Sequence, residues 1–147
     1  MAMASGLYVV TYKGLMSTTP KVVNLTLSTN KVILVTNTYT PVFDNDTHDA
    51  YADITGEVAA GGGYTQNSKT VGGTPTLTTD TGSLFKYTWS TSVDWTSSTI
   101  TARGMVLTTA ADGWLIVASD FGSDYVSTNG TFSITANASG IFTIDMA

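Results

Sequence analysis

The side chains able to do chemistry are few. The 147-residue chain holds ten aspartates, one glutamate, one histidine and one arginine, and no cysteine. The densest group is Asp44-Asn45-Asp46-Thr47-His48-Asp49, with Asp53 four residues on. Four carboxylates this close, at Asp44, Asp46, Asp49 and Asp53, are the oxygen ligands a calcium ion would want. Their spacing departs from the calcium-loop template: the sixth position is Asp49 where glycine makes the turn, and the twelfth is Thr55 where a bidentate glutamate closes the site. The same residues suit a helix start. Thr47 or Asp46 serves as N-cap and acids in the first turn complement the helix dipole, so one short helix is expected around residues 47–58, ended by Gly61-Gly62-Gly63.

His48, flanked by Asp46 and Asp49, has the makings of a general base, but no nucleophile motif accompanies it. A glycosidase needs two carboxylates across a cleft. Most of the aspartates here sit in turn-like sequence, and Glu57 has no evident partner. Gly61-Gly62-Gly63 and Gly72-Gly73 are not followed by a Lys-Ser/Thr pair that opens a helix, so they are turns and not phosphate cradles. Four Asn-x-Ser/Thr sequons, beginning at Asn24, Asn45, Asn129 and Asn137, are what a chain this rich in serine and threonine yields by composition. Arg103, beside large apolar neighbours in a strand-like segment, is expected to form a half-buried ion pair with Asp94 or Asp120 and to stabilise structure. Trp95, next to Asp94, is assigned to the core, as are most of the aromatic residues; a minority at the surface would offer stacking faces for sugars. No catalytic residue, cofactor or metal is assigned.

Composition narrows the class. Charged residues make up 12% of the chain, while 28 threonines supply much of the polarity. Threonine packs through its branched β-carbon and offers a hydroxyl outward, which suits a half-buried pleated sheet. The net charge of −5, with five lysines and one arginine scattered singly, gives no basic stripe for nucleic acid. No apolar run approaches the roughly 20 residues that span a bilayer, and Met-Ala-Met-Ala-Ser-Gly lacks the features of a signal peptide. Without cysteine, stability rests on packing, hydrogen bonds or association.

These residues are carried by a β-rich pattern. The central element is expected to be a hairpin, Thr99–Thr108 and Trp114–Ser119, joined through Asp112-Gly113. Other expected strands are Leu7–Tyr12, Val22–Leu27, Lys31–Thr36, Tyr64–Val71, Thr76–Thr79, Leu84–Ser90, Thr131–Ala136 and Gly140–Asp145. Turn signals include Asp80-Thr81-Gly82 and Asn129-Gly130. Short strands at this spacing predict an all-β single domain over residues 1–147, a β-sandwich or barrel-like fold of antiparallel strands with the one short helix. Residues 1–12 form a candidate N-terminal arm. Its residues Leu7, Tyr8, Val9, Val10 and Tyr12 would pair as a strand within the domain or add one to a neighbouring sheet edge, the second being the interface they are assigned to.

The chain resembles small virion structural proteins of tailed bacteriophages. The resemblance is carried by Val32-Ile33-Leu34-Val35-Thr36 with Tyr39-Thr40-Pro41, by Asp46-Thr47-His48-Asp49-Ala50-Tyr51-Ala52-Asp53, and by Glu57-Val58 and Gly63-Tyr64-Thr65. Further on it continues through Trp95 to Gly104, Leu115-Ile116, Asp120-Phe121-Gly122 and Asn129-Gly130-Thr131-Phe132. It departs at Gln66-Asn67-Ser68, where similar proteins carry another glycine pair. What the resemblance implies is a non-enzymatic capsid decoration (cement) protein on the major capsid protein lattice, or else a minor tail, fibre or receptor-binding module. Such a protein is expected in the virion, assembled in the bacterial host cytoplasm, as a symmetric homo-oligomer with a trimer favoured. Neither nucleic acid nor membrane is an expected partner.

Overall fold

The computed structural model describes residues 3–19, 22–79, 84–110 and 112–145; the Asp80-Thr81-Gly82 turn signal lies outside them. Seven strands run in the order β1 (Gly6–Leu7), β2 (Lys31–Val35), β3 (Pro75–Thr79), β4 (Leu84–Trp89), β5 (Val93–Thr108), β6 (Leu115–Ile134) and β7 (Phe142–Asp145). One α-helix, α1 (Val9–Leu15), follows β1, and a single 3₁₀ turn covers Tyr51–Asp53. The strands form two open antiparallel sheets, β1-β6-β5-β2 and β3-β4-β7. The all-β class with one short helix is what the composition predicted, and no barrel closes.

The β5–β6 hairpin is the spine. β5 places Met105 and Leu107 on one face and Val106 on the other, while β2 pairs with it in unbroken register from Lys31↔Thr108 to Val35↔Gly104. Val32, Leu34, Met105 and Leu107 join Tyr87, Trp89, Trp95 and Phe132 in a core shared by both sheets. Ile33, Val35, Val106, Leu115 and Ala118 point the opposite way, into a second core closed by Met3, Tyr8, Tyr39 and Ile54. Four consecutive buried residues in β2, and four more at Leu115–Ala118, thus reflect a sheet covered on both faces. The hairpin connection is wider than a two-residue turn. Thr109 N donates to Trp114 O, Trp114 N donates to the Thr109 hydroxyl, and Gly113 supplies the positive φ of 66°.

Several expected elements are replaced, each because tertiary bonds outcompete a local pattern. Residues 47–58 do not form a helix. Tyr51 N donates to Gly113 O, Leu115 N to Asp49 O, Thr36 N to Gly56 O and Val58 N to Leu34 O, so outside the single 3₁₀ turn, where Asp53 N and Ile54 N donate to Ala50 O and Tyr51 O, this stretch bonds to the hairpin and to the β2 region. The helix forms instead where a strand was expected, at Val9–Leu15, with Val10, Thr11 and Gly14 on one buried stripe. Val22–Leu27 and Tyr64–Val71 are irregular, and the expected Thr131 strand is the far end of β6.

The N-terminal segment is accordingly not a free arm. Gly6 and Leu7 pair with Ala118 and Val117, Tyr8 N donates to Ile116 O, and the Thr11 hydroxyl donates to Leu115 O at 2.5 Å. Tyr8 is fully buried and Val10 nearly so; Leu7 and Tyr12 are half-buried, and of the five proposed interface residues only Val9 is exposed. Strand addition by this segment is satisfied within the chain.

Two consequences are measurable by chemical denaturation. Tyr8→Ala opens the second core and is expected to cost about 3–5 kcal/mol. Tyr8→Phe, which removes only a hydroxyl bond, is expected to cost about 1 kcal/mol. Equal stability of all three proteins would contradict the closed N-terminus.

Candidate functional site

Arg103 sits where the β5–β6 ladder breaks. Between the pairs Ala102↔Tyr125 and Gly104↔Asp120, β5 contributes one residue and β6 contributes four, Phe121–Asp124. The excess bulges out of β6, with Gly122 at φ 85°, and changes the pleat phase of β5. Ile100 and Ala102 consequently share the larger core with Met105 and Leu107, whereas simple alternation through Arg103 would have placed them on opposite faces. Arg103 Nε donates to Asp120 Oδ1 at 2.6 Å and Nη2 to Oδ2 at 3.4 Å, so Asp120 is the ion-pair partner. The guanidinium holds the Asp120 carboxyl below the usual carboxylate range, and Gly122 N adds a bond to Oδ1. The pair pins the bulge and lines no cavity.

Asp94 is not part of that pair. The Ser133 and Ser92 hydroxyls hold its carboxyl below the usual range, with Lys69 a smaller contributor. Trp95, its neighbour, is buried between the Tyr64 and Phe132 rings, with the Lys69 ammonium 5.6 Å from its ring centroid. The four residues assigned to structure therefore fall into two separate clusters, Arg103–Asp120 and Asp94–Trp95.

The acidic segment is committed to internal bonds. Asp53 accepts from Asp49 N and Ala50 N, and Asp46 pairs with Lys13 at the surface. Among the described residues, no three His, Cys, Asp or Glu side chains are grouped to hold a metal. His48 stacks between the Tyr8 and Tyr39 rings, and its Nε2 bonds Tyr39 Oη at 3.0 Å. Tyr39 Oη in turn bonds Tyr8 Oη at 2.5 Å. Burial pushes the pKa of both tyrosines up, that of Tyr39 to about 12, and so keeps both hydroxyls protonated. The chain Tyr8–Tyr39–His48 is a hydrogen-bonded lock on the second core. Sequence reading noted His48, took Tyr8 for an interface residue and met Tyr39 only within the resemblance; the two tyrosines lie 31 residues apart, and nothing local joins them to each other or to His48.

Glu57 was likewise without a visible partner. The Tyr51 hydroxyl donates to its Oε2 at 2.5 Å, the Tyr64 hydroxyl to Oε1 at 2.8 Å and Asn67 N to Oε1 at 2.9 Å. A carboxylate with three donors arranged around it is a staple between loops, with three of its roughly four lone-pair sites taken.

Two grooves remain open among the described residues, one of about 680 Å³ lined by Tyr12, Leu15, Leu25, Leu77 and Phe85, and one on β6. The tryptophans Trp89 and Trp95 are buried, but Tyr125 and Val126 are 54% and 64% exposed. Phe121 packs edge-on against Tyr125, and the two rings stand at one end of a groove of about 410 Å³ running along β6 to Thr135. Only β6 residues and the one after it line this groove. It offers apolar, hydroxyl and backbone groups and no carboxyl, imidazole or amine side chain, which suits binding and not bond-breaking. Phe121 figured in the sequence reading only as part of a resemblance; Tyr125 and Val126 had no signal beyond ordinary strand composition. No family model, curated protein or solved structure matches the chain.

The ion pair makes a pH-dependent prediction. A carboxyl depressed in the fold contributes stability above its unfolded value near about pH 4, and loses it as pH falls through the folded value. Asp120→Asn should therefore melt about 2–4 °C below the parent protein at pH 7, with the gap closing toward about pH 2. A gap that persists in acid would contradict the pairing.

Proposed function

We propose that the protein is a non-enzymatic structural component of a tailed-bacteriophage virion, acting as a capsid decoration protein on the outside of the major capsid protein lattice. The observation that carries this reading is the division of the molecule into a spent interior and an adhesive edge. The carboxylates of Glu57, Asp53, Asp94 and Asp120 are bonded internally, while the β6 surface presents Tyr125 and Val126 to solvent. A rigid body whose adhesive surfaces are small gains little as a single copy. Repeated on a lattice, weak contacts sum to durable attachment through effective concentration. The sequence resemblance to phage virion proteins points the same way. A homo-oligomer, with a trimer favoured, would multiply the effect.

A second reading, a tail-associated fibre or receptor-binding module, is favoured by one feature. The Phe121–Tyr125 pair at the head of a shallow groove with flanking threonine and serine hydroxyls is a surface on which a sugar ring could rest. The rings meet at 87°, so they present one stacking face and not a continuous platform.

Electron microscopy of intact particles separates the two. The decoration reading expects many copies arrayed over the capsid shell. A few copies confined to the tail would transfer the assignment to the second reading, and absence from the particle would overturn both.

A further inference from the structure

The groove on β6 lies along the edge of the strand and not on a face. Side chains on a strand alternate between faces, so a cavity touching Thr131, Phe132, Ser133, Ile134 and Thr135 in succession meets the strand from its side. The burial record agrees: Phe132 and Ile134 are buried in the core, while Thr131, Ser133 and Thr135 are exposed on the opposite face, yet all five border the groove. That side is the one β1 uses. β1 pairs with β6 at Val117 and Ala118, and Asp120 N donates to the Ser5 hydroxyl, after which Gly122 N turns inward to Asp120 Oδ1. Beyond this point β6 pairs only with β5, and among the described residues no other element covers its outer edge. The edge is shaped by a second irregularity, where Ser97 and Asn129 adopt φ of 50° and 48° and the Ser98 and Ser127 hydroxyls bond at 2.9 Å across the break.

Unpaired edges invite strand pairing, and proteins that avoid it place charges or prolines along them. From Tyr125 to Thr135 β6 and its extension carry neither charge nor proline, and the irregularity at Asn129 is the one edge-twisting device there. The flanking charges are Asp120, neutralised by Arg103, and Asp124, which leaves this end of the groove net negative on a chain of net charge −5. A second copy would bring a second Asp124 and a second −5 body to the same place, which opposes self-pairing. A cationic strand meets the opposite situation.

We propose that the β6 edge from Tyr125 to Thr135 is a strand-addition site for an extended segment of another protein. That segment is apolar at alternate positions, with lysine or arginine at the end that meets Asp124. It continues the edge that β1 already occupies, with backbone bonds giving affinity and Phe121, Tyr125 and Val126 receiving the side chains. The edge geometry stands alone; assigning the segment to a capsid protein rests on the virion reading.

The test uses the full isotope-labelled chain and three short synthetic peptides of alternating valine and threonine. One ends in lysines, one ends in glutamates, and one carries prolines in place of alternate threonines. The lysine peptide is expected to shift the amide resonances of residues 123–135 and to bind at least about tenfold more tightly than either control. Val126→Lys, at an exposed position that leaves the melt unchanged, is expected to weaken it by about tenfold or more. Equal binding of the glutamate peptide, shifts located elsewhere, or no binding by any peptide would overturn the proposal. Self-association by light scattering that Val126→Lys abolishes would overturn it in favour of a second copy. Peptide binding by a protein absent from particles would overturn the virion reading and leave this one standing.

Discussion

The constraint on which the structure depends is that the central sheet has no wet face where β2, β5 and β6 run together. A strand buried on both faces cannot use the apolar-in, polar-out alternation that stabilises most antiparallel sheets, so each face needs its own cover. The larger core is covered by the second sheet through Tyr87 and Trp89. The smaller face is covered by chain with little regular structure: Met3, Tyr8, Tyr39 and Ile54, drawn from the N-terminus and from the segment after β2. A backbone that follows an irregular path over a core must find partners for its amides and carbonyls. Those partners explain the bonds from residues 49–58 to the hairpin and to β2, and they explain why a helix does not form there.

The same constraint accounts for the polar groups. Tyrosine hydroxyls carried into or against a core need partners, and for four of them the chain provides these by pairing Tyr8 with Tyr39 and His48, and Tyr51 and Tyr64 with Glu57, while the buried Tyr12 hydroxyl has none among the described residues. The single glutamate and single histidine thereby become structural staples. Arg103 follows a similar logic at the bulge, where Asp120 both pairs with the guanidinium and accepts from Gly122 N, fixing a turn that would otherwise hang from the strand. What is left over for function is surface: the part of β6 that no element covers and the apolar groove lined by Leu15, Leu77 and Phe85.

Much of the fold could be read from composition and local pattern because it is local. β2, β3, β4 and the hairpin halves are runs of β-branched and apolar residues, and Arg103 beside apolar neighbours announced an ion pair with a nearby aspartate. The misreadings share one physical cause. Tyr8, Thr11 and Tyr12 fit either period, and only the need to roof Val106 and Leu115 selects the helical course after Tyr8. Asp46 and Thr47 are sound helix caps, but the amides after them bond to Gly113 and Leu34 carbonyl partners brought from afar. The long reach of β6 was obscured because Phe121–Asp124 and Asn129 interrupt it with turn-like sequence, which the structure uses as bulges inside one strand. The exposed edge, being a property of sheet order, had no sequence signature.

Native-state hydrogen exchange followed residue by residue tests the two-sided burial most directly. Amides in Val32–Val35, Met105–Leu107 and Leu115–Val117 are predicted to exchange only through global unfolding, and those of β6 near Tyr125 and Val126 far faster. Comparable protection along the whole of β6, or rapid exchange in Met105–Leu107, would contradict a sheet sealed on both faces at one end and open along its edge at the other.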